Sequence, residues 1–242
     1  MRFRASSIGN LLTGTDGLTD KQSDKLNELL AKIKLTEKQA ETRDELIAKR
    51  DAPIDLPQGA KSYIEGLVEK EVYGYDDIIS SKEMEKGTLV EDESIHLYNR
   101  VFFTDYQKSE MSLQMDNVSG HPDILDESSK MIIDIKSSWS KKTFPKLPEQ
   151  AKNTLYEWQV KTYLMMQGWT KGQIAYCLVN TPESLLNDWD DDTLHYVEHL
   201  DDRMRVTIVD VELTDADKKF MKGRIDAAAK YYDEYKLKLE SK

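Results

Sequence analysis

Cysteine is nearly missing from this chain: among 242 residues there is one, Cys177. A single cysteine excludes an internal disulfide and any cluster site built from several thiolates, and it fits a reducing cytoplasm. Long apolar runs are missing as well, so no stretch is suited to crossing a bilayer. The opening residues Met1, Arg2, Phe3, Arg4, Ala5 and Ser6 lack the apolar core of a secretory signal. There is no internal repeat, and no GxxxxGK[ST] phosphate loop, so no ATPase is expected. Net positive charge is missing too. Lys plus Arg number 34 against 45 acids, a balance of -11. That argues against a protein that coats nucleic acid without selectivity. What remains is 39% apolar and 33% charged, in a length that suits one large domain or two small ones.

The acidity is not uniform. Between 130 and 161 lie seven lysines (130, 136, 141, 142, 146, 152, 161) against three acids (Asp134, Glu149, Glu157), a local balance of +4. This stretch reads either as a basic patch that holds a polyanion at one place or as a solvated lysine-rich loop.

Next to that stretch is the most informative segment, residues 120 to 136. Asp126, Glu127, Ser128 and Ser129 supply turn chemistry between two short strands. Met131 to Ile135 is an apolar run holding one acid, which suits a buried strand. Side chains two apart on a strand share a face, so Asp134 and Lys136 point one way while Ile133 and Ile135 point the other, into a core. Asp123 follows Pro122 at the end of the preceding strand. Pairing across the turn brings Asp123 towards Asp134, with Lys136 beside them. Two carboxylates at one spot are costly unless a cation meets them. Hard divalent ions such as Mg2+ are commonly held by one or two carboxylates plus water and phosphate. A neighbouring amine would offset phosphate charge or help deprotonate a water, and the set suits metal-assisted phosphodiester hydrolysis.

Elsewhere the pattern is mostly helical. Residues 4 to 13 read as a helix start capped by Ser6 or Ser7. Residues 14 to 57 are charged and predict two amphipathic helices, closed by a boundary at 52 to 57. Residues 58 to 73 predict a further helix with Tyr63, Ile64, Leu67, Val68 and Val72 inward. One helix is expected from Met84 to Phe102, with Glu91, Ile95, Tyr98 and Phe102 near one face. A strand is expected around Glu110 to Met115. Ser137 to Lys152 is a loop in which Trp139 and Phe144 either stack on bases or, as favoured here, pack beneath it. Residues 153 to 168 form a helix ended by Gly168, with Gln159 and Tyr163 one turn apart. Gln173 to Asn180 and Arg205 to Leu213 read as strands, and Asp215 to Leu239 as an amphipathic helix. His195 and His199 are four apart, but no third ligand completes a metal set.

The residues Gly120, His121, Pro122, Asp123 and then Asp134, Ile135, Lys136 resemble the PD-(D/E)xK nuclease superfamily, most closely its phage recombination exonucleases of the lambda-exonuclease/YqaJ type. The likeness in order and spacing spans roughly residues 84 to 181. It is supported by Gly87 to Glu91, which matches a Gly-x-x-x-Glu element, and by Gln159 to Tyr163, which matches QxxxY. The resemblance implies an α/β, restriction-endonuclease-like fold, a mixed central sheet flanked by helices with an N-terminal helical insertion at 14–57. It implies a single nuclease domain over 1–242, with a catalytic core at 84–181 and a C-terminal strand and helix at 203–242. Asp123 and Asp134 would bind Mg2+ or Mn2+, Glu91 would assist directly or through water, Lys136 would help activate water, and Gln159 would support the site. Arg4 and Ser7 would bind a terminal phosphate, and Tyr163 would contact the DNA backbone or pack nearby. Lys141 and Lys142 from the basic stretch are further candidates for DNA binding. The implied activity is a DNA exonuclease acting in phage-type recombination in the host cytoplasm, as a ring-shaped trimer and with a single-strand annealing protein as possible partner. Two other readings stay open on sequence: a structure-specific endonuclease with the same chemistry, and a DNA-binding module without catalysis.

Overall fold

A computed structural model describes residues 2–14, 18, 20–51, 56–76 and 81–242. By its internal contacts the chain forms two compact units. The first comprises Met1–Gly9 and Tyr75–Lys218, the second Asn10–Gly74 and Lys219–Lys242.

The chain opens with β1 (Phe3–Arg4) and a 3-10 helix over Ala5–Asn10. The α-helix start expected at 4–13 is therefore a two-residue strand and a tight turn of helix. The backbone N–H groups of Arg2 and Phe3 both donate to the Asn117 carbonyl at 3.0 Å, so sheet pairing claims this segment before a helix begins. Two amphipathic helices follow as expected, α1 (Asp20–Leu30) and α2 (Glu37–Asp51). Leu26 and Leu29 of the first meet Leu46 of the second in a small apolar cluster. Thr36 and Gln39 exchange side-chain-to-backbone bonds of 3.1 and 3.3 Å at the start of α2, a reciprocal cap that satisfies two otherwise orphaned N–H groups. Of the boundary expected at 52–57, residues 52–55 lie outside the described residues. Next, α3 (Gln58–Tyr73) buries Ala60, Ile64 and Val68 in four-residue steps and stops at Gly74, whose φ of 68° only glycine adopts cheaply.

The single helix expected from 84 to 102 is two, α4 (Lys82–Leu89) and α5 (Glu91–Phe102). Val90 at φ -113°, ψ 16° ends one and begins the other. Its apolar side chain is buried, so the hydrophobic pattern runs on unbroken through the bend. Two hairpins come next. In the first, β2 (Leu113–Met115) pairs with β3 (Val118–Gly120) across Asp116 and Asn117. In the second, β4 (Ile124–Asp126) pairs with β5 (Met131–Ser137), Ile124 facing Ile133. The Asp126 carboxylate ties that turn by accepting from the Ser128 and Ser129 hydroxyls, both at 2.6 Å, and from the Ser128 N–H at 2.9 Å.

Beyond the loop, α6 (Thr154–Gln167) is capped by Asn153 and ended by Gly168. The chain continues through β6 (Lys171–Cys177), the short α7 (Asp192–His195), β7 (Val206–Glu212) and α8 (Asp215–Glu240). Strands β4-β5-β6-β7 form one mixed sheet, antiparallel except for the β5–β6 pair. That parallel pair needs a crossover, and α6 lies on it. A second sheet has the order β1-β3-β2, with β1 parallel to β3. One face of the larger sheet packs Ile124, Ile133, Ile135, Ala175 and Cys177 against Ile95, Leu97 and Tyr98 of α5. Against the sheet, α6 approaches so closely that a Cβ on Gly172 would lie 2.6 Å from the Val160 side chain.

Candidate active site

Strand geometry gathers the acids. Asp134 and Lys136 share the face of β5 turned away from the cluster that holds Ile133 and Ile135. Lys136 Nζ stands 2.6 Å from Asp134 Oδ2. Asp123, just ahead of β4, accepts from the Ile135 backbone N–H through Oδ2 at 2.6 Å. The Asp123 carboxylate is thereby docked on β5 between the positions of Asp134 and Lys136.

The electrostatics are unusual. Asp134 is wholly buried, its Oδ1 has no hydrogen-bond partner, and its Oδ2 is met by the Lys136 ammonium. Burial pushes the Asp134 carboxyl above its ordinary range although Lys136 pulls the other way. Asp123 is raised to about 7, first by burial and then by Asp134, with Lys136 and the Ile135 N–H opposing. Burial works against the charge on Lys136, yet the two acids outweigh it, and its pKa lies above the usual lysine value. Two carboxylates and one ammonium leave this enclosed spot one negative charge in excess when all are ionised.

Asp123 and Lys136 line a cavity of about 600 Å³ together with Glu91, Ser6, Trp139 and Tyr156. Glu91 is the first residue of α5 and pairs with Lys108 at 2.6 Å. Four residues earlier, Gly87 also lines the cavity, and a Cβ added there would meet nothing within 4 Å. Among the described residues no three His, Cys, Asp or Glu side chains converge closely enough to hold an ion by themselves.

The remaining expected site residues fall in different places. Gln159 and Tyr163 are both buried on α6, with Gln159 Nε2 donating to the Tyr163 hydroxyl at 3.2 Å. Tyr163 is 2% exposed, and burial and then Asp134 push its hydroxyl up to about 12. Of the two roles expected for Tyr163, backbone contact or packing nearby, this burial favours packing: a Cβ on Gly120 would clash with the ring at 2.7 Å. Ser6, not Ser7, lines the cavity, and Arg4 is exposed on β1. Lys141 Nζ donates to the Thr193 carbonyl at 2.6 Å, while Lys142 is exposed. Phe144 is buried as expected, and Trp139 lines the cavity with its ring edge-on to His195 at 5.2 Å. The sequence reading missed Tyr156, whose ring lies 4.8 Å from Lys136 Nζ, and Tyr176, which faces Lys136 across the β5–β6 register. Tyr156 carries a readable signal, since it stands one turn before Val160 on the same helix as Gln159.

Comparison of the sequence with protein-family models and with curated proteins finds no match. Comparison of the fold does. A phage-related exonuclease from Haemophilus somnus 129PT superposes with a TM-score of 0.78 at 22% identity, over 100% of this chain and 97% of that one. An alkaline exonuclease from Laribacter hongkongensis, LHK-Exo, superposes at 0.58 with 14% identity, over 99% and 92% of the two chains. The same enzyme in complex with dAMP gives 0.60 at 15% identity, with the same coverage. This chain has the phage-type exonuclease fold. The α/β architecture implied by the motif residues is thus present over the whole length, at identities too low for sequence comparison to register.

Proposed function

We propose that the chain is a divalent-metal-dependent DNA exonuclease that hydrolyses phosphodiester bonds of linear duplex DNA. One observation carries the reading: Asp134 is sealed in the sheet with Oδ1 unpartnered and Oδ2 met by the Lys136 ammonium, while Asp123 is docked beside it at the edge of the cavity. One ammonium on one oxygen replaces only part of the hydration that a buried carboxylate has lost. Supplying a cation is the simplest chemistry that repairs this, and two carboxylates suffice for Mg2+ or Mn2+ when water and phosphate complete the shell. Asp123 and Asp134 would hold the ion, and Glu91, facing the same cavity, would assist through water. When bound, the ion supplies Lewis acidity towards a phosphate oxygen and lowers the pKa of a bound water.

The chain's own residues then have distinct tasks. Lys136, kept protonated by the two acids, places an ammonium at the cavity and favours the added charge of the transition state. Gln159, which donates to the Tyr163 hydroxyl, and Tyr163, which feels the Asp134 charge, would support the site. Tyr156 confines the Lys136 amine from the other side. The solved structures of the same fold described as exonucleases support this assignment. Arg4, Ser7, Lys141 and Lys142 are proposed to contact DNA, with Lys142 the most accessible of the two loop lysines. A ring-shaped trimer, a single-strand annealing partner and a role in phage-type recombination are carried as parts of the same proposal.

Purified protein should degrade linear duplex only with Mg2+ or Mn2+, and Asp123→Ala, Asp134→Ala and Lys136→Ala should each abolish this. Covalently closed circles should survive. Cutting of circles would move the reading to an endonuclease, and DNA binding without any cleavage would move it to a non-catalytic module.

A further inference from the structure

One wholly buried cation has no part in the chemistry above. Lys86 of α4 is 0% exposed. Its Nζ lies 2.8 Å from the Ser138 carbonyl, 2.9 Å from the Val179 carbonyl, 2.9 Å from Thr181 Oγ1 and 3.1 Å from the Trp139 carbonyl, four acceptors shared among three N–H groups. All four acceptors are neutral oxygens. Burial lowers its pKa to about 8, against a weaker opposite pull from Glu93. A methionine would fill the space without that cost, but it would strand the oxygens that Lys86 now satisfies.

The oxygens are there because two strands part. Strands β5 and β6 pair in parallel as far as Ser137 and Cys177, and one further bond joins the Ser138 N–H to the Cys177 carbonyl at 2.8 Å. Beyond it the chains separate. Ser138 and Trp139 turn along the cavity, while the Leu178 N–H donates at 2.8 Å to Arg205, just before β7. Carbonyls on both sides of the split lose their ladder partners, and every buried one needs a donor. Lys86 enters from α4 and supplies it. Thr181 completes the bridge, since its Oγ1 reaches the Trp139 carbonyl at 2.9 Å and His195 Nδ1 at 3.0 Å. The helix that carries Lys86 also gives Gly87 and Thr88 to the cavity, and the bridged segment gives it Lys136, Ser138 and Trp139.

We infer that Lys86 is a positioning residue for the hydrolytic step: by tying the parted ends of β5 and β6 to α4, it sets the Lys136–Trp139 wall of the cavity against the Gly87–Glu91 wall. The inference rests on the nuclease reading. A reacting group displaced by about 1 Å can cost roughly a hundredfold in rate without touching binding elsewhere.

The test uses full-length Lys86→Met and Thr181→Val, each assayed on linear duplex with Mg2+ well below its unfolding midpoint. A second readout is the emission of Trp139 as sole tryptophan, in a Trp158→Phe, Trp169→Phe, Trp189→Phe background. Lys86→Met should lower kcat by roughly ten- to a hundredfold with KM within about twofold, and Thr181→Val should lower kcat less, in the same pattern. Both should shift Trp139 emission while the protein stays folded. A folded Lys86→Met with wild-type kcat and unchanged emission overturns the inference. Should Lys86→Met fail to fold, Thr181→Val decides alone by the same two readouts. Absence of metal-dependent digestion by the wild-type chain would instead sink the nuclease reading itself, a result separable from normal turnover in the variants.

Discussion

A carboxylate enclosed in a sheet with one oxygen unpartnered is costly, and Asp134 is such a residue. Lys136 is its close counter-charge at 2.6 Å, so removing that amine leaves the acid uncompensated. Lys136→Ala should therefore destabilise the metal-free protein by about 3 kcal/mol, read from denaturant unfolding. Asp123 gives a pH signature. Its folded pKa of about 7 lies above the ordinary value near 3.9, so between these the folded chain binds more protons than the unfolded one. Its contribution to stability is then fully present below about pH 4 and is lost as pH rises through 7. The melting temperature without divalent ions should fall across that window, and Asp123→Asn should flatten the fall. Binding of Mg2+ at pH 6 should release protons, visible by calorimetry in buffers of different ionisation enthalpy.

The elements fix where those residues point. A one-residue slip of β5 against β4 would turn Asp134 and Lys136 into the apolar cluster, and the tied turn at Asp126 guards against it. This hairpin was legible because turn residues, an apolar run and period-two alternation all coincide there. The break at Val90 was not, because the buried pattern continues through it on both helices. Strands β1 and β3, two and three residues long, were not legible either, since only non-local pairing defines them. The acids and Lys136 were legible from spacing and family likeness, whereas Lys86 looks in sequence like any surface lysine on a charged helix. Two glycine substitutions probe the elements. Gly120→Ala forces a Cβ to 2.8 Å from that of Ala5 and into the Tyr163 ring, so it should cost about 1–3 kcal/mol. Gly87→Ala lies inside α4 with open space around it and should stabilise by about 0.5–1 kcal/mol. Its methyl would narrow the cavity, so nuclease activity should fall while the melting temperature rises.

Over the whole molecule the charge of -11 opposes a polyanion, while residues 130–161 carry a local balance of +4. No helix among the described residues is long and apolar enough to cross a membrane. The logarithm of the DNA binding constant should fall linearly with the logarithm of salt concentration, and Lys142→Ala should reduce that slope by about one. A trimer should give a solution mass three times the 28.0 kDa of the chain. The fold was implied by a few motif residues and its extent was seen through structure, because at 14–22% identity those residues are a small minority of positions. The central claim is tested most directly by incubating the chain with end-labelled linear duplex, with and without Mg2+, beside Asp134→Ala. Mononucleotide release that requires the ion and vanishes in the variant is the predicted result. Equal release by wild type and variant, or none by either, would contradict it.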